Sequence, residues 1–579
     1  MKFFHVYNED AFEGLVKNSL INKDTGFKIQ HAFSVPEDRL FNKYAAKGTN
    51  LYNLLKEGNY PFYVDRIAGG ITYYPYTFDK ELIQEYIDML GDWFLGFQLH
   101  ESASNRRHSD WPYILKVMNG DKGPYDVNVL RERLLSSFAI RPDGTMLYNL
   151  NQDPPEVFAR QKYAETPEEF LIEVRDMFSR RMDEVCGRIL PCDSDYLLAK
   201  MQDELGMRTF MVEVGMQSPY MRQQISQARG IAKASGKTWG AYYECWREVR
   251  KNGEVSWHMP CFNSDPSNEW YLTSETHPDD FTTFGESGGS SRNLQERIYY
   301  YSLMAGADYF SEEWGLNCSY SDMNTFELSS YGKVKKNFVD DALNYRGMKA
   351  IVPFALVLPK DYICVEQPDM DDSTKIGDHV DKYMRYTLDA EKKAYIGHIQ
   401  DVIKLFLARL NPVGNEGHVI TNSRFGDVID IIFEDASDSA FSQYEYLIDV
   451  TPEGSFAKAK AGSKFKILTS DNLEKLEIEV QKLTKEVMPC YVDGLFWVVS
   501  VDENGKRYLS IFNNEGNERD ERKGDIIHHE ADAVVTVRFK EVPKLTLLKE
   551  AMGQIEITKI DDLTYRIGVP AAGFGIFSF

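Results

Sequence analysis

From residue 26 onward the chain alternates short apolar runs with longer stretches of helical period, the pattern of an α/β fold with parallel strands. It predicts a strand at Gly26 to Val35 followed by a helix through Leu40 to Lys56, and a second strand at Phe62 to Gly70 followed by a helix through Lys80 to Leu90. A third strand runs from Trp93 to Glu101, where parity sets Leu95, Phe97 and Leu99 on one side and Gly96, Gln98 and His100 on the other. Between Arg106 and Met182 the pattern weakens, and Thr145 to Asn151 is the candidate fourth strand. Helix Pro167 to Cys186 then leads to strand Arg188 to Asp193, and a helix through Tyr196 to Leu205 leads to the strand ending near Glu213. Helix Tyr220 to Ser235 precedes a strand ending at Glu244, Arg247 to Ser290 is a long loop, and helix Arg292 to Ala305 delivers a last strand ending in Glu312-Glu313-Trp314-Gly315. Eight strands make a (β/α)8 barrel, with a final helix around Leu328 to Arg346.

Beyond it, the buried run Ala350 to Pro359, a helix at Ile396 to Leu410 and strands at Val428 to Phe433, Tyr446 to Val450 and Phe465 to Thr469 predict a small flavodoxin-like α/β domain. It carries neither GxGxxG nor GxxxxGK, so no nucleotide is assigned to it. From Tyr491 the period shortens to strands and tight turns, the mark of a C-terminal antiparallel β-sandwich. The expected domains are therefore 1–347, 348–488 and 489–579.

A chain of 579 residues, 43% apolar, is too long for one core and long enough for this division. Its formal charge of −23 repels nucleic acid and anionic membrane surfaces and favours a neutral partner. Seven of eight tryptophans precede residue 320, which suits flat faces for sugar rings, though core anchoring explains a tryptophan as well. The seven scattered cysteines form no CxxC and no zinc array. With no signal-like amino terminus and no apolar run of membrane length, a cytoplasmic protein is expected.

In a barrel of this kind the catalytic groups sit at the carboxyl ends of the strands. Glu101, Glu213, Glu244 and the pair Glu312 and Glu313 occupy such ends. Parity turns Glu213 and Glu313 inward, since Phe210, Val212 and Val214 suit the helix side and Ser311 and Tyr309 share a side with Glu313. Converging carboxylates in an aromatic-lined mouth suit glycoside hydrolysis, in which one carboxyl donates a proton and the other acts as nucleophile or base. The catalytic candidates are Glu213, Glu313 and Glu244, and the substrate-binding candidates are His100, Glu101, Tyr242, Trp246, Glu286, Glu312 and Trp314. The blander reading is that one or two of these glutamates pair with barrel arginines such as Arg66, Arg229 or Arg292. His100, Glu101 and Asp193 lack HxH or HExxH spacing, so no metal is assigned, and no cofactor is expected. A non-catalytic carbohydrate-binding barrel and a metal-dependent barrel hydrolase are the competing readings.

The layout resembles clan A type glycoside hydrolases, family 42 β-galactosidases in particular. The local likeness rests on Gln227-Ala228-Arg229-Gly230, Gly236-Lys237-Thr238-Trp239-Gly240 and Met304-Ala305-Gly306-Ala307-Asp308-Tyr309 before Glu312-Glu313-Trp314-Gly315. The resemblance implies a carbohydrate substrate, an acid/base glutamate in an Asn-Glu pair at strand four, a nucleophilic glutamate at strand seven and a homo-oligomer formed through the middle domain. The predicted strand four shows no Asn-Glu, and Asn268-Glu269 falls in the long loop.

Overall fold

The computed structural model describes residues 1–31, 37–68, 76–101, 167–194, 197–215, 220–251, 254–258, 260, 281–283, 288–313, 315–362, 390–407, 420, 425–520 and 524–579. Eight parallel strands close a barrel: β1 (Lys2–Val6), β2 (Thr25–Gln30), β3 (Phe62–Ala68), β4 (Phe94–His100), β5 (Ile189–Asp193), β6 (Thr209–Gly215), β7 (Thr238–Glu244) and β8 (Tyr309–Glu312). The ring closes where Lys2 and Phe3 of β1 pair with Tyr309 and Phe310 of β8.

This corrects the expected strand count in two places. The first strand is Lys2–Val6, and the segment expected to be first is the second. The expected fourth strand, Thr145 to Asn151, lies outside the described residues, and the ring is complete without it. Strand four is therefore Phe94–His100.

Parity also changes at β4. Phe62 pairs with Phe94 but Tyr63 pairs with Gly96, leaving one extra residue in β4, a β-bulge. Gly96 takes a φ of 105°, which a side chain would oppose, and Leu95 turns into the barrel beside Phe4 and Tyr63. Beyond the bulge the expected alternation resumes, with Phe97 and Leu99 in the helix-side core.

The predicted loop after β7 contains an antiparallel hairpin, Arg247–Lys251 with Glu254–His258, and a short strand, Phe281–Thr283, alongside it. The helices Met221–Ser235 and Arg292–Met304 are buried along most of their length because further sheets cover their outer faces. Against the first lies a four-stranded parallel sheet in the order Ile429–Phe433, Phe354–Leu358, Tyr446–Asp449, Ile467–Thr469. Numbered along the chain this is 2-1-3-4, the flavodoxin-like order. Arg229 clamps the two layers, donating from Nε to Asp430 at 2.7 Å and from Nη1 to Asp427 at 2.6 Å.

Two antiparallel sheets complete the C-terminal part. One runs Lys349–Ala350, Phe496–Val501, Arg507–Phe512, Phe574–Ser578, Thr546–Ala551, and the other Cys490–Asp493, Ala533–Phe539, Thr564–Val569, Glu556–Lys559. Tyr301 of the second buried helix packs edge-on against Phe496 and Phe512, which ties the first sheet to the barrel. Among the described residues no helix is long and apolar enough to cross a membrane.

Candidate active site

The barrel interior becomes more polar from one end to the other. At the amino end of the strands, Phe4, Tyr63, Leu95, Leu190, Met211 and Tyr309 form an apolar plug. Above it, the fully buried Lys28 donates to Asp65 at 2.6 Å and to the backbone carbonyl of Glu312 at 2.5 Å. The ammonium also lies 4.9 Å from the Tyr242 ring centre, and Tyr63 and Ser311 share a hydrogen bond of 2.6 Å. An isolated charge here would be costly, so the Lys28–Asp65 pair and its bonds set the floor of the site.

On that floor stand the carboxylates. Glu213 at the end of β6, Glu244 at the end of β7 and Glu313 just past β8 each place an oxygen within 4.8 Å of the other two. His100, Glu101 and Glu213 form a second group of the same tightness. Glu213, Glu244, Glu313 and His100 are buried, whereas the Glu101 side chain is 30% exposed and marks the mouth. Glu244 fits because residue 215 is glycine: a Cβ there would stand 2.1 Å from the Glu244 Cγ.

Two non-glycine residues at the site have left-handed backbone, Arg66 with φ 58° and Glu101 with φ 42°. Arg66 follows the inward Asp65, and in regular strand geometry it would face the helices. The left-handed turn instead brings its guanidinium inward, where one Nη2 donates to Glu313 Oε1 at 2.5 Å and to His100 Nε2 at 2.6 Å. Backbone strain of this sort costs about 1–3 kcal/mol and is concentrated at functional positions. The second oxygen of Glu313 accepts from the Trp246 indole at 2.8 Å.

The carboxyls differ in their electrostatic setting. Burial, followed by the charges of Glu101, Glu244 and Glu313, pushes Glu213 well above the usual carboxylate range, and a hydrogen bond with Glu101 adds to the effect. Glu213 is thus poised as a carboxylic acid. Glu313 is held in an ion pair. His100 is driven well below its ordinary value by burial, then by Arg66 and Lys28. Because a guanidinium only donates, the neutral imidazole accepts at Nε2 and carries its proton on Nδ1.

Of the residues expected at the site, the structure brings together Glu213, Glu313, Glu244, Glu101, His100 and Trp246. Tyr242 lies beneath them in the interior, with its hydroxyl 3.4 Å from Asp65. Glu312, expected to bind substrate, is placed elsewhere. It faces the helices, buried against Lys335 at 2.6 Å and Tyr331 at 2.9 Å and bonded by Tyr299, because the strand alternation that turns Glu313 inward turns Glu312 outward. Glu286 and Trp314 lie outside the described residues. The blander pairing of glutamates with arginines is met at Arg66, while Arg229 serves the interface with the parallel sheet. Lys28 and Asp65 join the site although they are not among the residues expected there. The signal for them was a charge in the middle of an apolar strand, Phe27-Lys28-Ile29 and Val64-Asp65.

The two groups also have spacing that suits a divalent cation. Among the described residues, the Arg66 guanidinium brings a positive charge to Glu313.

No protein-family model matches this chain, and no curated protein matches it. Among solved structures, it is similar to alpha-L-fucosidase isoenzyme 2 from Paenibacillus thiaminolyticus, with a TM-score of 0.41, 11% identity, and coverage of 99% of this chain and 96% of that one. It is also similar to a beta-galactosidase from the haloarchaeon Halorubrum lacusprofundi, with a TM-score of 0.40, 9% identity, and coverage of 100% of this chain and 99% of that one. Both neighbours are glycoside hydrolases, and at these scores neither assigns a role to any residue of this chain.

Proposed function

We propose that this protein is a glycoside hydrolase that cleaves neutral oligosaccharides or glycosides at the carboxyl end of its barrel. One observation carries the reading: three buried glutamates converge within 4.8 Å, and one of them, Glu213, is pushed toward its protonated form. Glu213 donates the proton to the leaving oxygen. Glu313, oriented by Arg66 and Trp246, attacks the anomeric carbon, and Glu213 then activates water for the second step. Carboxyl groups this close support retention of configuration, since inversion uses a separation of about 6.5–9.5 Å. The same closeness favours catalysis over a barrel that only binds sugars. The chemistry runs without a metal, with Arg66 as the cation of the site.

A second assignment of the same reaction has one observation in its favour. With strand four at Phe94–His100, that strand ends in His100-Glu101 where clan A enzymes have Asn-Glu, and strand seven ends in Glu244. Glu101 would then be the acid/base and Glu244 the nucleophile. The likeness to family 42, the boundaries at 347/348 and 488/489, a cytoplasmic location and assembly through the middle domain belong to the same proposal.

The test is a panel of chromogenic glycosides assayed with the wild type and with Glu213→Gln and Glu313→Gln. The expected result is hydrolysis of at least one glycoside, unaffected by chelators, with each variant slower by at least about a hundredfold. Near-normal rates in both variants would refute the assignment.

A further inference from the structure

Besides the sheet packed on Tyr301, the C-terminal part reaches the barrel through the hairpin Asn517–Asp520 with Gly524–Ile527. Its Arg519 side chain is 2% exposed and pairs with Asp525 at 2.6 Å. The same guanidinium donates to the backbone carbonyls of Gly288 at 2.9 Å and Gly289 at 3.3 Å. Arg247, just past β7, donates to the Arg519 carbonyl. Asn517 donates to Ser291 Oγ at 2.9 Å, and Asp525 accepts from the backbone of Arg292 at 3.0 Å, so the hairpin grips the segment that opens helix Arg292–Met304.

That segment is bonded in turn to the end of β7. Ser290 donates its N–H to the Cys245 carbonyl at 2.9 Å, and its hydroxyl shares a bond of 2.6 Å with Tyr243. Cys245 lies between Glu244 and Trp246, and the Trp246 indole bonds Glu313. A path of hydrogen bonds joined by two short pieces of backbone, Gly289–Ser290 and Cys245–Trp246, therefore leads from a C-terminal arginine to the carboxylate cluster. The planar fork of arginine suits this task, because three directions of donation are needed at once: Asp525 and two successive carbonyls.

We infer that Arg519 is a positioning residue: it fixes residues 288–292 against the end of β7 and so sets the Trp246 indole on Glu313. The role in turnover rests on the glycosidase reading, but the placement of Trp246 does not.

The experiment compares Arg519→Ala, Arg519→Lys and, as a destabilised control, Arg229→Ala in the full-length protein. Two readouts are used, kcat/KM and the emission of Trp246, the latter isolated by subtracting the matching Trp246→Phe protein. Arg519→Ala should lower kcat/KM by about tenfold or more, because Glu313 loses a donor that orients it. Its Trp246 emission should shift to the red. Arg519→Lys, which keeps the charge and loses the fork, should fall between Arg519→Ala and wild type, and it serves if the alanine variant fails to fold. Arg229→Ala, which breaks the pairs with Asp427 and Asp430 at the remote interface with the parallel sheet, should lower Tm and leave kcat/KM and the emission where they are. A wild type that hydrolyses no glycoside would sink the functional reading, and the emission shift alone would then decide the placement. Unshifted emission in the Arg519 variants, or an equal shift in Arg229→Ala, would overturn the positioning role.

Discussion

Replacing Glu213 by glutamine should lower activity and raise stability in the same protein. The side chain keeps its shape and its hydrogen-bonding groups but cannot ionise. In the wild type, an ionised Glu213 would have like-charged oxygens within 4.8 Å on two sides. At an effective dielectric constant of about 20, each such contact costs roughly 3 kcal/mol. The native state avoids this by holding Glu213 protonated, and burial acts in the same direction. The folded carboxyl therefore titrates above its unfolded counterpart, whose reference value is 4.5. Below that value both states are protonated and the residue is neutral to stability. As pH rises, the unfolded state sheds its proton first and the wild type loses stability, until the folded group also ionises. Glu213→Gln removes this loss. Its advantage should be near zero at pH 4 and grow through neutrality to roughly 3 kcal/mol, on the order of 3–4 °C in Tm for a unit of this size. Calorimetry at pH 4, 6 and 7.5, alongside kcat/KM on the best chromogenic substrate, gives both numbers. Turnover should fall by at least about a hundredfold. A variant that keeps more than about a tenth of wild-type turnover, or whose Tm advantage does not grow with pH, would refute the reasoning.

Other outcomes follow from single contacts. Arg66→Met should cost about 3–5 kcal/mol in a denaturant titration at neutral pH, because it leaves Glu313 buried without its cation, and should abolish most of the activity. Gly215→Ala should fold with a penalty of about 1–3 kcal/mol and lose turnover, since the new methyl displaces Glu244; steady-state kinetics and Tm together check it. Arg229→Ala should destabilise by a similar 3–5 kcal/mol through Asp427 and Asp430 while leaving the pH profile of any activity unchanged, because the clamp is remote from the mouth. His31, buried against Tyr76 and Phe78, is held down to about 3, so its contribution is present above 6.5 and lost as pH falls. By pH 4 that loss is about 3 kcal/mol, and His31→Phe should flatten the decline of Tm between pH 6.5 and 4.

Strand parity read from the sequence located much of the site. At β6, β7 and β8 the alternation is regular, so Met211 and Glu213, Tyr242 and Glu244, and Ser311 and Glu313 face the interior as the pattern implies. Parity fails where the backbone departs from two-residue repetition. Gly96 inserts a bulge that redirects Leu95, and Arg66 reaches Glu313 through a left-handed turn that its residue type does not announce. Lys2–Val6 carries no strand signal of its own, because five residues at the chain start, bounded by no turn signal, look like a tail until β8 and β2 pair with them. Glu312 looked like a rim acid because its partners, Lys335, Tyr331 and Tyr299, come from helices on either side of β8 in the chain, and no local spacing reveals such a pocket. The hairpin at Asn517–Ile527 is more distant still in sequence, and its grip on Gly288 to Arg292 exists only in the folded chain.

On the proposed mechanism these carboxylates cleave a glycosidic bond through a covalent intermediate. It is tested most directly by trapping with the 2-deoxy-2-fluoro analogue of the best substrate, followed by peptide mass mapping. One added sugar per chain is expected, on Glu313, and no trapped sugar in Glu313→Gln. A label on Glu244 would give the nucleophile role to strand seven. A wild type that turns over the parent glycoside yet gains no mass, or gains it outside Glu213, Glu244 and Glu313, would contradict the account.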